Sequence, residues 1–446
     1  MKGYRIRDEM NGVEDPPGKT WFWELEAAVI EADRCIQCGT CVAVCPSNSI
    51  GVDEDTQLPE LVKMCTGCSL CWDFCPRGGL RYEALWPPST ALPNGAGRAT
   101  DGADGTDGAD GGASGDVEEP SSTSTVVRAD SSDTYWKITG GPPADGLGAV
   151  LGAYAVRAGG RPEGAQDGGV VSALLVAALA AGEIDGALVT RPSDDPDEPW
   201  KGVATVATTA REVNEAAGSY YNQTMALAEL DLSAYDLPPS PRLAVVGTPC
   251  EIQGIRAMQS RRWPTGRHRV DAVVLTIALL CTKSFDYRGL VLQLLQEDRA
   301  VEIERVSKVD VIRGRMIVEY RDGELAVDEP IKNFHGAALK GCDECADFLG
   351  RSADLSVGSV GSMDGWSSVL VRTERGRRAL DNARGRLDFR ELDNLAALEK
   401  LDALDKRVAF DSLRRPFDPD APLFIDYADH VAAYEGSDRA PVVPDR

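Results

Sequence analysis

The sequence lacks any apolar segment long enough to cross a membrane. The longest candidate, residues 170–181, is shorter than the roughly 20 residues that a spanning helix needs, and polar turns flank it. The first 20 residues are charged, contain proline and include no apolar stretch of the kind found in a secretory signal. We therefore expect a cytoplasmic protein that is not an integral membrane protein. In a reducing cytoplasm, cysteines bind metal more often than they form disulfides.

Lysine is also scarce. Only 11 of the 47 basic residues are lysine and the other 36 are arginine, whereas 43 of the 71 acidic residues are aspartate. With a net charge of −24, the excess carboxylates on a compact surface repel one another unless salt screens them. This composition favours a halophilic archaeon as the source, with an acidic protein from a GC-rich genome as the alternative. So large a negative charge also argues against a nucleic-acid partner.

Cysteine, by contrast, is abundant and regularly spaced. Eight of the twelve cysteines lie in two runs, each spaced C-x2-C-x2-C-x3-C and each followed by proline. Bacterial-type ferredoxins hold two 4Fe-4S clusters with such runs, because three cysteines of a tight loop bind one cubane and the fourth binds the other. One cluster is therefore assigned to Cys35, Cys38, Cys41 and Cys75, and the other to Cys45, Cys65, Cys68 and Cys71. A single run could bind zinc, but two identical runs favour clusters and hence electron transfer.

Composition divides the chain into segments. Gly, Asp, Ala, Ser and Thr dominate the stretch after Pro88, which cannot bury a core and is predicted to be a disordered acidic linker. The predicted organisation is an N-terminal extension with a lead-in helix (1–32), a small α+β bacterial-type ferredoxin domain (33–85), the linker (86–134), an N-terminal α/β domain (145–230), a C-terminal α/β domain (235–425) and an acidic tail (426–446).

The chain after the linker alternates strand and helix patterns, which predicts a mixed α/β sheet. A lead-in helix over Trp21–Asp33 is also expected. Strands are predicted over Leu147–Arg157, Ile184–Thr190, Arg242–Gly247 and Val270–Leu280 and within Val309–Tyr320. Helices are predicted over Val170–Ala181, Cys250–Gln259, Tyr287–Glu297 and Gly376–Leu387.

Four cysteines remain outside the two runs. Cys250 and Cys281 each follow an apolar strand, and Cys342 and Cys345 form a C-x-x-C pair. Sites in α/β sheets lie where strands end, so the four thiols could converge on a further 4Fe-4S cluster. Zinc is a rival occupant. Two buried structural cysteines beside an unrelated C-x-x-C pair are the third alternative.

Several motifs follow one another through the second half of the chain. They are Gln166–Leu175, Ile184–Ala187, Gly218–Tyr221, Val246–Gly254, Leu280–Phe285, Lys340–Asp347 and Ala353–Gly358. In this order and spacing they resemble the beta subunit of coenzyme F420 hydrogenase and related dehydrogenases. The resemblance implies a mixed α/β fold that binds FAD and carries a third 4Fe-4S cluster on Cys250, Cys281, Cys342 and Cys345.

The resemblance also implies residues for the flavin site. Its candidate cofactor-binding residues are Gln166, Asp167, Gly168, Gly169, Val170, Val171, Gly218, Ser219, Gly247, Thr248, Lys283 and Lys340. Gly168 and Gly169 would let backbone N–H groups approach a pyrophosphate at a helix N-terminus, although an ordinary strand–turn–helix has the same pattern. Lys283 and Lys340, with Lys332, could offset the negative charge of cluster and flavin, and the alternative is that they are ordinary surface lysines.

The implied activity is that of an oxidoreductase. It would pass electrons between coenzyme F420, a hydride donor, and one-electron carriers through FAD and three 4Fe-4S clusters, as the electron-input subunit beside a partner electron-transfer protein or a hydrogenase or dehydrogenase complex. A reductase of the same scaffold with another substrate, or a relay without flavin, is the alternative. Arginines 256, 261, 262, 267 and 269 with His268 form a basic island that could bind the anionic tail of F420, a partner or only solvent.

Overall fold

The computed structural model describes residues 21–78, 146–162, 164–260 and 267–413. The predicted linker (86–134) and acidic tail (426–446) lie outside the described residues. The first segment is small and has mixed secondary structure. Its elements are α1 (Phe22–Leu25), which continues as a π-helical turn over Glu26–Ile30, then α2 (Thr40–Val44), the antiparallel strands β1 (Ile50–Val52) and β2 (Pro59–Leu61), and α3 (Leu70–Asp73).

An eight-stranded mixed sheet forms the centre of the second part. Its strands are β3 (Gly152–Ala158), β4 (Gly186–Pro192), β5 (Gly202–Ala207), β6 (Leu243–Gly247), β7 (Val273–Leu279), β11 (Leu355–Gly358), β12 (Ser367–Val371) and β13 (Leu387–Glu391). Their order is β13-β3-β12-β11-β7-β6-β4-β5. Strands β4, β6, β7 and β11 pair in parallel. Because β12 is antiparallel to both β11 and β3, β3 points the same way as the parallel strands.

Helices cover both faces of this sheet. Their bounds are α4 (Val170–Ala180), α5 (Ala210–Glu215), α6 (Pro249–Ser260), α7 (Arg267–Asp271), α8 (Glu374–Asn382) and α9 (Leu395–Leu413). Between β7 and β11 the chain forms a π-helical segment, Arg288–Glu297, and a separate antiparallel sheet of β8 (Val306–Ile312), β9 (Arg315–Tyr320) and β10 (Leu325–Pro330). Short 3-10 turns cover Ala226–Leu230, Leu232–Ala234, Ile303–Arg305, Ile331–Ala337, Lys340–Glu344 and Arg384–Arg386.

The small N-terminal segment belongs to the same core as the sheet. Successive side chains of a strand point to opposite faces. In β6, Leu243 and Val245 belong to one hydrophobic core on one face of the sheet, while Ala244 belongs to a second core on the other face. The first core also contains Phe22 and Val44 of the N-terminal segment, whereas side chains of α4 and α8 complete the second. The N-terminal segment therefore acts as part of one helical layer.

The mixed α/β architecture is confirmed, and several element boundaries are corrected. Residues 270–272 are not strand, because Val270 and Asp271 end the short helix α7 and β7 begins at Val273. The helix predicted up to Leu387 ends at Asn382, and Leu387 opens β13. Helix α9 was not predicted. Of the helices within the described residues, none combines the length and the apolar character that crossing a membrane requires.

Candidate functional site

Two cavities in the N-terminal segment are lined by the cysteine runs. Cys35, Cys38, Cys41 and Cys75 line the first, which we call cavity 1, together with apolar side chains and Arg77. Cys45, Cys65, Cys68 and Cys71 line the second, cavity 2. Each cavity thus takes three cysteines from one run and the fourth from the other. The exchange arises because α2 and α3 pack against each other and carry each fourth cysteine toward the opposite loop.

The other four cysteines come together at one edge of the central sheet; we call them the third quartet. Parallel strands share the edge at which they end. Cys250 opens α6 just after β6, and Cys281 follows β7 at the same edge. The 3-10 turn Lys340–Glu344 brings Cys342 within 3.5 Å of the backbone nitrogen of Ser284, three residues beyond Cys281.

Burial makes several of the free thiols in cavity 1 and the third quartet weak acids. It raises the pKa of Cys35 and of Cys38 to about 12 and that of Cys345 to about 11. Burial, followed by the charges of Cys342 and Cys345, raises the pKa of Cys281 well above its usual value. A group of buried thiolates is therefore unfavourable without a cation to bind, and this is the chemistry of a metal-cluster ligand set.

Polar groups contact several of the sulfurs. Backbone N–H groups donate to Cys35 Sγ from Gln37 at 3.4 Å, to Cys45 Sγ from Ser49 at 3.2 Å and to Cys65 Sγ from Gly67 at 3.3 Å. In the third quartet the Thr248 hydroxyl lies 3.1 Å from Cys250 Sγ. Hydrogen bonds to sulfur are among the factors that set cluster potentials, so these contacts suit iron–sulfur ligation.

Within the described residues, no group of three or more His, Cys, Asp or Glu side chains is placed to hold a single metal ion.

Cavity 1 lies next to the third quartet. The backbone N–H of Met225 donates to Gln37 O at 3.0 Å, and that of Leu227 donates to Cys38 O at 3.3 Å. Helix α6 approaches α2 at Gly254, where a Cβ would lie 2.5 Å from Thr40 Oγ1. Burial, then the charges of Glu251 and Cys38, raise the pKa of Cys250. The two cysteine groups are thus close enough to influence each other electrostatically.

The turn predicted to bind flavin lies at the same sheet edge. Its glycines are required by packing: a Cβ on Gly168 would lie 2.5 Å from Val156 O. The N–H of Gly168 donates to Ser367 Oγ at 3.1 Å, and Gly169 begins α4 with a positive φ of 64°. Packing at Gly168 and the positive φ of Gly169 therefore already explain why both positions are glycine, without the predicted approach of their N–H groups to a pyrophosphate.

Asp167 in this turn is an unusual carboxyl group. Burial, followed by the charge of Asp310, raises the pKa of Asp167 to about 6. The Asp310 carboxylate is itself buried and accepts a hydrogen bond from the Tyr221 hydroxyl at 3.3 Å. The antiparallel sheet β8–β10 thus brings the Asp310 carboxylate, together with Tyr221, close to the predicted flavin turn.

The remaining predicted cofactor residues separate into two groups. Gly218, which precedes Ser219, lies beside Gly164, two residues before the flavin turn, with a Cβ position 3.7 Å from Gly164 O. Gly247 and Thr248 instead contact Glu251, whose carboxylate accepts from Thr248 N at 2.7 Å. Lys283 pairs with Asp343 in the C-x-x-C turn. Exposed Lys340 pairs with Asp33 of the N-terminal segment.

The basic island is not one surface in the described residues. Arg256 is nearly buried and pairs with Asp354 at 2.8 Å. Arg269 donates to Ala43 O at 3.3 Å and pairs with Asp231. Both therefore serve the fold, and Arg269 joins the N-terminal segment to the sheet domain. Arg261 and Arg262, and the side chains of Arg267 and His268, lie outside the described residues.

Sequence reasoning missed several charged residues around the third quartet. Arg34 makes a two-pronged ion pair with Glu344 inside the C-x-x-C turn, at 2.6 and 2.8 Å. Arg77 is almost fully buried beside the same turn. From α9, Asp405 contributes a buried carboxyl whose pKa is raised well above its usual value by burial and then by Asp402. The only sequence indication for Arg77 was its position two residues after Cys75.

Three family models match the chain. Residues 28–81 match a 4Fe-4S dicluster domain. Residues 153–231 match the N-terminal part, and residues 241–394 the C-terminal part, of the beta subunit of coenzyme F420 hydrogenase/dehydrogenase. The order of these matches follows the order of the N-terminal segment and the sheet domain in the structure.

Individual relatives agree with the models. Coenzyme F420 hydrogenase subunit beta from Methanothermobacter thermautotrophicus is 35% identical over 254 residues, which are 55% of this chain and 86% of that protein. A subunit of the F(420)H(2) dehydrogenase from Methanosarcina mazei is 28% identical over 382 residues, which are 82% of this chain and 86% of that protein.

A solved structure supports the same relationship. One chain of the F420-reducing [NiFe] hydrogenase complex from Methanosarcina barkeri superposes with a TM-score of 0.55 at 28% identity, covering 61% of this chain and 93% of that chain. The resemblance seen in the motifs is thereby confirmed. The chain belongs to the family of coenzyme F420 hydrogenase/dehydrogenase beta subunits and carries a 4Fe-4S dicluster domain ahead of the family domains.

Proposed function

We propose that this protein is an F420-linked oxidoreductase subunit that holds FAD and three 4Fe-4S clusters and exchanges electrons with a partner protein. Relatives named as F420 hydrogenase and F420H2 dehydrogenase subunits support the substrate and the partner. When bound, the flavin would exchange a hydride with F420 and the clusters would carry single electrons.

The observation that carries this proposal is the succession of three cysteine groups. The third quartet lies at the sheet edge shared by the flavin turn, cavity 1 lies beside the quartet, and cavity 2 follows within the N-terminal segment. Exposed apolar side chains flank cavity 2, where Met64 precedes Cys65 and is 85% exposed. A partner would therefore approach most easily from the side of cavity 2.

The protein's own groups suit the proposed cofactors. The cysteines supply soft thiolate ligands, and the N–H and hydroxyl contacts to sulfur hold them in place. For the flavin, α4 presents the N-terminus of an 11-residue helix without an acid in its first turn. Arg161 lies against that N-terminus and donates to Asp167 O at 2.6 Å. The helix N-terminus and Arg161 supply the positive groups that a pyrophosphate would need, beside the carboxyl groups of Asp167 and Asp310.

The decisive experiment is anaerobic and uses cluster-reconstituted protein in high salt. Reduced F420 is added, and its oxidation is followed together with bound flavin absorbance and bleaching of the iron–sulfur absorbance. Coupled F420 oxidation and bleaching are expected. Bound flavin without any reaction would mean that the scaffold serves another substrate, and clusters without flavin would mean a relay.

A matched pair of variants tests the proposed order. Cys281→Ser should lower the iron content from about twelve to about eight per chain and abolish bleaching by reduced F420, while flavin reduction persists. Cys65→Ser should leave the third quartet able to accept electrons. Equal bleaching in Cys281→Ser and the parent protein would contradict the assignment of the third quartet to this path.

A further inference from the structure

A buried arginine separates two of the cysteine groups. Arg77 is 2% exposed, lines cavity 1 and is the largest fully buried side chain within the described residues. Its Nε donates to Gly341 O at 2.5 Å, in the turn that carries Cys342, and its Nη1 donates to Pro76 O at 3.0 Å. One guanidinium therefore touches the wall of cavity 1 and the backbone of the third quartet.

A charge in this position needs compensation, because taking a cation out of water costs several kcal/mol even after relaxation. Arg77 lies near Cys345, Cys250 and Cys342 of the third quartet and near Glu344. Thiolates bound to a cluster in that quartet would supply the compensating negative charge.

A second arginine, Arg34, binds the carboxylate nearest to Arg77 and the backbone of Arg77 itself. Arg34 donates hydrogen bonds to both carboxylate oxygens of Glu344. It also donates to Arg77 O at 2.8 Å and to Ala28 O at 2.7 Å. Arg34 therefore fixes the backbone of Arg77 and partly neutralises the nearest carboxylate. Arg77 also lowers the pKa of Cys35 and Cys75 on its cavity 1 side, against the larger effect of burial.

We infer that Arg77 is a positioning residue that stabilises the reduced forms of the clusters on the third quartet and in cavity 1. This inference rests on the proposed function. Reduction adds one negative charge to a cluster, and a fixed cation within a low-dielectric interior lowers the energy of that charge. Cluster potentials respond to net charge and hydrogen bonding in this way.

The test is a potentiometric titration of the cluster-loaded protein followed by electron paramagnetic resonance. In Arg77→Gln the reduced-to-oxidised ratio of the third-quartet cluster at a fixed potential should fall by about tenfold, which is a shift of about 59 mV for one electron. Arg77→Lys keeps the charge and should keep most of the ratio. Glu344→Gln removes an opposing charge and should move the ratio in the other direction.

A matched control is available at the same domain contact. Arg288 is exposed and pairs with Asp55 at 3.3 Å, so Arg288→Gln also removes an arginine and should leave both potentials unchanged. A shift in Arg77→Gln no larger than that of Arg288→Gln overturns the inference. If Arg77→Gln fails to assemble, unchanged potentials in Glu344→Gln overturn it equally. Absence of a third cluster signal in the parent protein would instead refute the proposed function.

Discussion

At the scale of single residues, burial sets the chemistry of the charged groups. Glu251 accepts hydrogen bonds from Thr248 and Gln223, yet burial still raises its pKa to about 7. The pKa of Asp167 reaches about 6 for the same reason and because Asp310 is near. Carboxyl groups with raised pKa values concentrate around the third quartet and the flavin turn, as expected for functional sites.

Asp167 makes the stability of the fold depend on pH. The unfolded chain ionises this group near pH 3.8 and the folded chain near pH 6, so the folded state binds more protons between these values. Stability should therefore decrease as the pH rises through this window. Asp167→Asn should remove this decrease and raise the free energy of unfolding by about 1–2 kcal/mol at pH 7. This is less than the roughly 3 kcal/mol expected for a fully buried group, because solvent screens part of the effect. Asparagine also tolerates the positive φ of 43°.

Urea unfolding at pH 4.5 and pH 7 measures this effect. Asp388→Asn is the control, because Asp388 is exposed and pairs with Arg157 at 3.0 Å. An Asp167→Asn protein that loses stability between the two pH values as steeply as the parent protein would contradict the assignment.

At the scale of elements, the C-x-x-C turn is held from three sides. Lys283 beyond β7 pairs with Asp343, and Arg34 of the N-terminal segment pairs with Glu344. From the third side, α9 packs on the turn, while its Asp402 makes a two-pronged ion pair with Arg351 at 2.8 Å for each contact. The position of two cysteines thus depends on elements far apart in sequence.

Gly341 sets the separation of cavity 1 and the third quartet. A Cβ at this position would overlap the carbonyl oxygen of Arg34, which is backbone and has little freedom to move. Gly341→Ala should therefore cost about 1–3 kcal/mol of stability and slow electron transfer into the N-terminal clusters. Stopped-flow bleaching after addition of reduced F420 measures the rate.

Gly336→Ala is the matched control, because nothing lies within 4 Å of its Cβ position in the neighbouring 3-10 turn. It should preserve both stability and rate. Normal transfer in Gly341→Ala would show that the close contact does not govern the distance between the two groups.

At the scale of the whole molecule, the net negative charge makes stability depend on salt. A net charge of −24 on 446 residues creates self-repulsion that salt screens within about 8 Å at physiological ionic strength and about 3 Å at 1 M. The predicted haloarchaeal source and cytoplasmic location remain predictions, and the charge gives the first of them a direct physical test.

Raising KCl from 0.1 to 2 M should increase the melting temperature by about 4 °C, equivalent to roughly 1–2 kcal/mol for a domain of ordinary size. Differential scanning calorimetry measures this rise. Sucrose of matched water activity separates screening from general preferential exclusion. A melting temperature that falls with KCl, or that rises equally in sucrose, would contradict stabilisation by charge screening.

The sequence by itself determined features that depend on local spacing. The two cysteine runs predicted which cysteines share a cavity, because their spacing keeps three thiols in one loop and places the fourth beyond a short helix, next to the other loop. Apolar strand patterns likewise predicted β6 and β7 and the cysteines that follow them, and ordered motifs indicated the family. Ligation by these cysteines and the flavin contacts remain predictions.

Only the tertiary structure decided which charged residues surround the site. Arg77 and Gly341 meet although they are 264 positions apart, and nothing in the local pattern encodes such a contact. Helix α9 escaped prediction because its buried face alternates apolar Leu398 and Ala409 with buried Asp402 and Asp405, which hides the apolar period. Long-range contacts, rather than residue type, gave the glycines of the flavin turn and Arg256 and Arg269 of the basic island their structural roles.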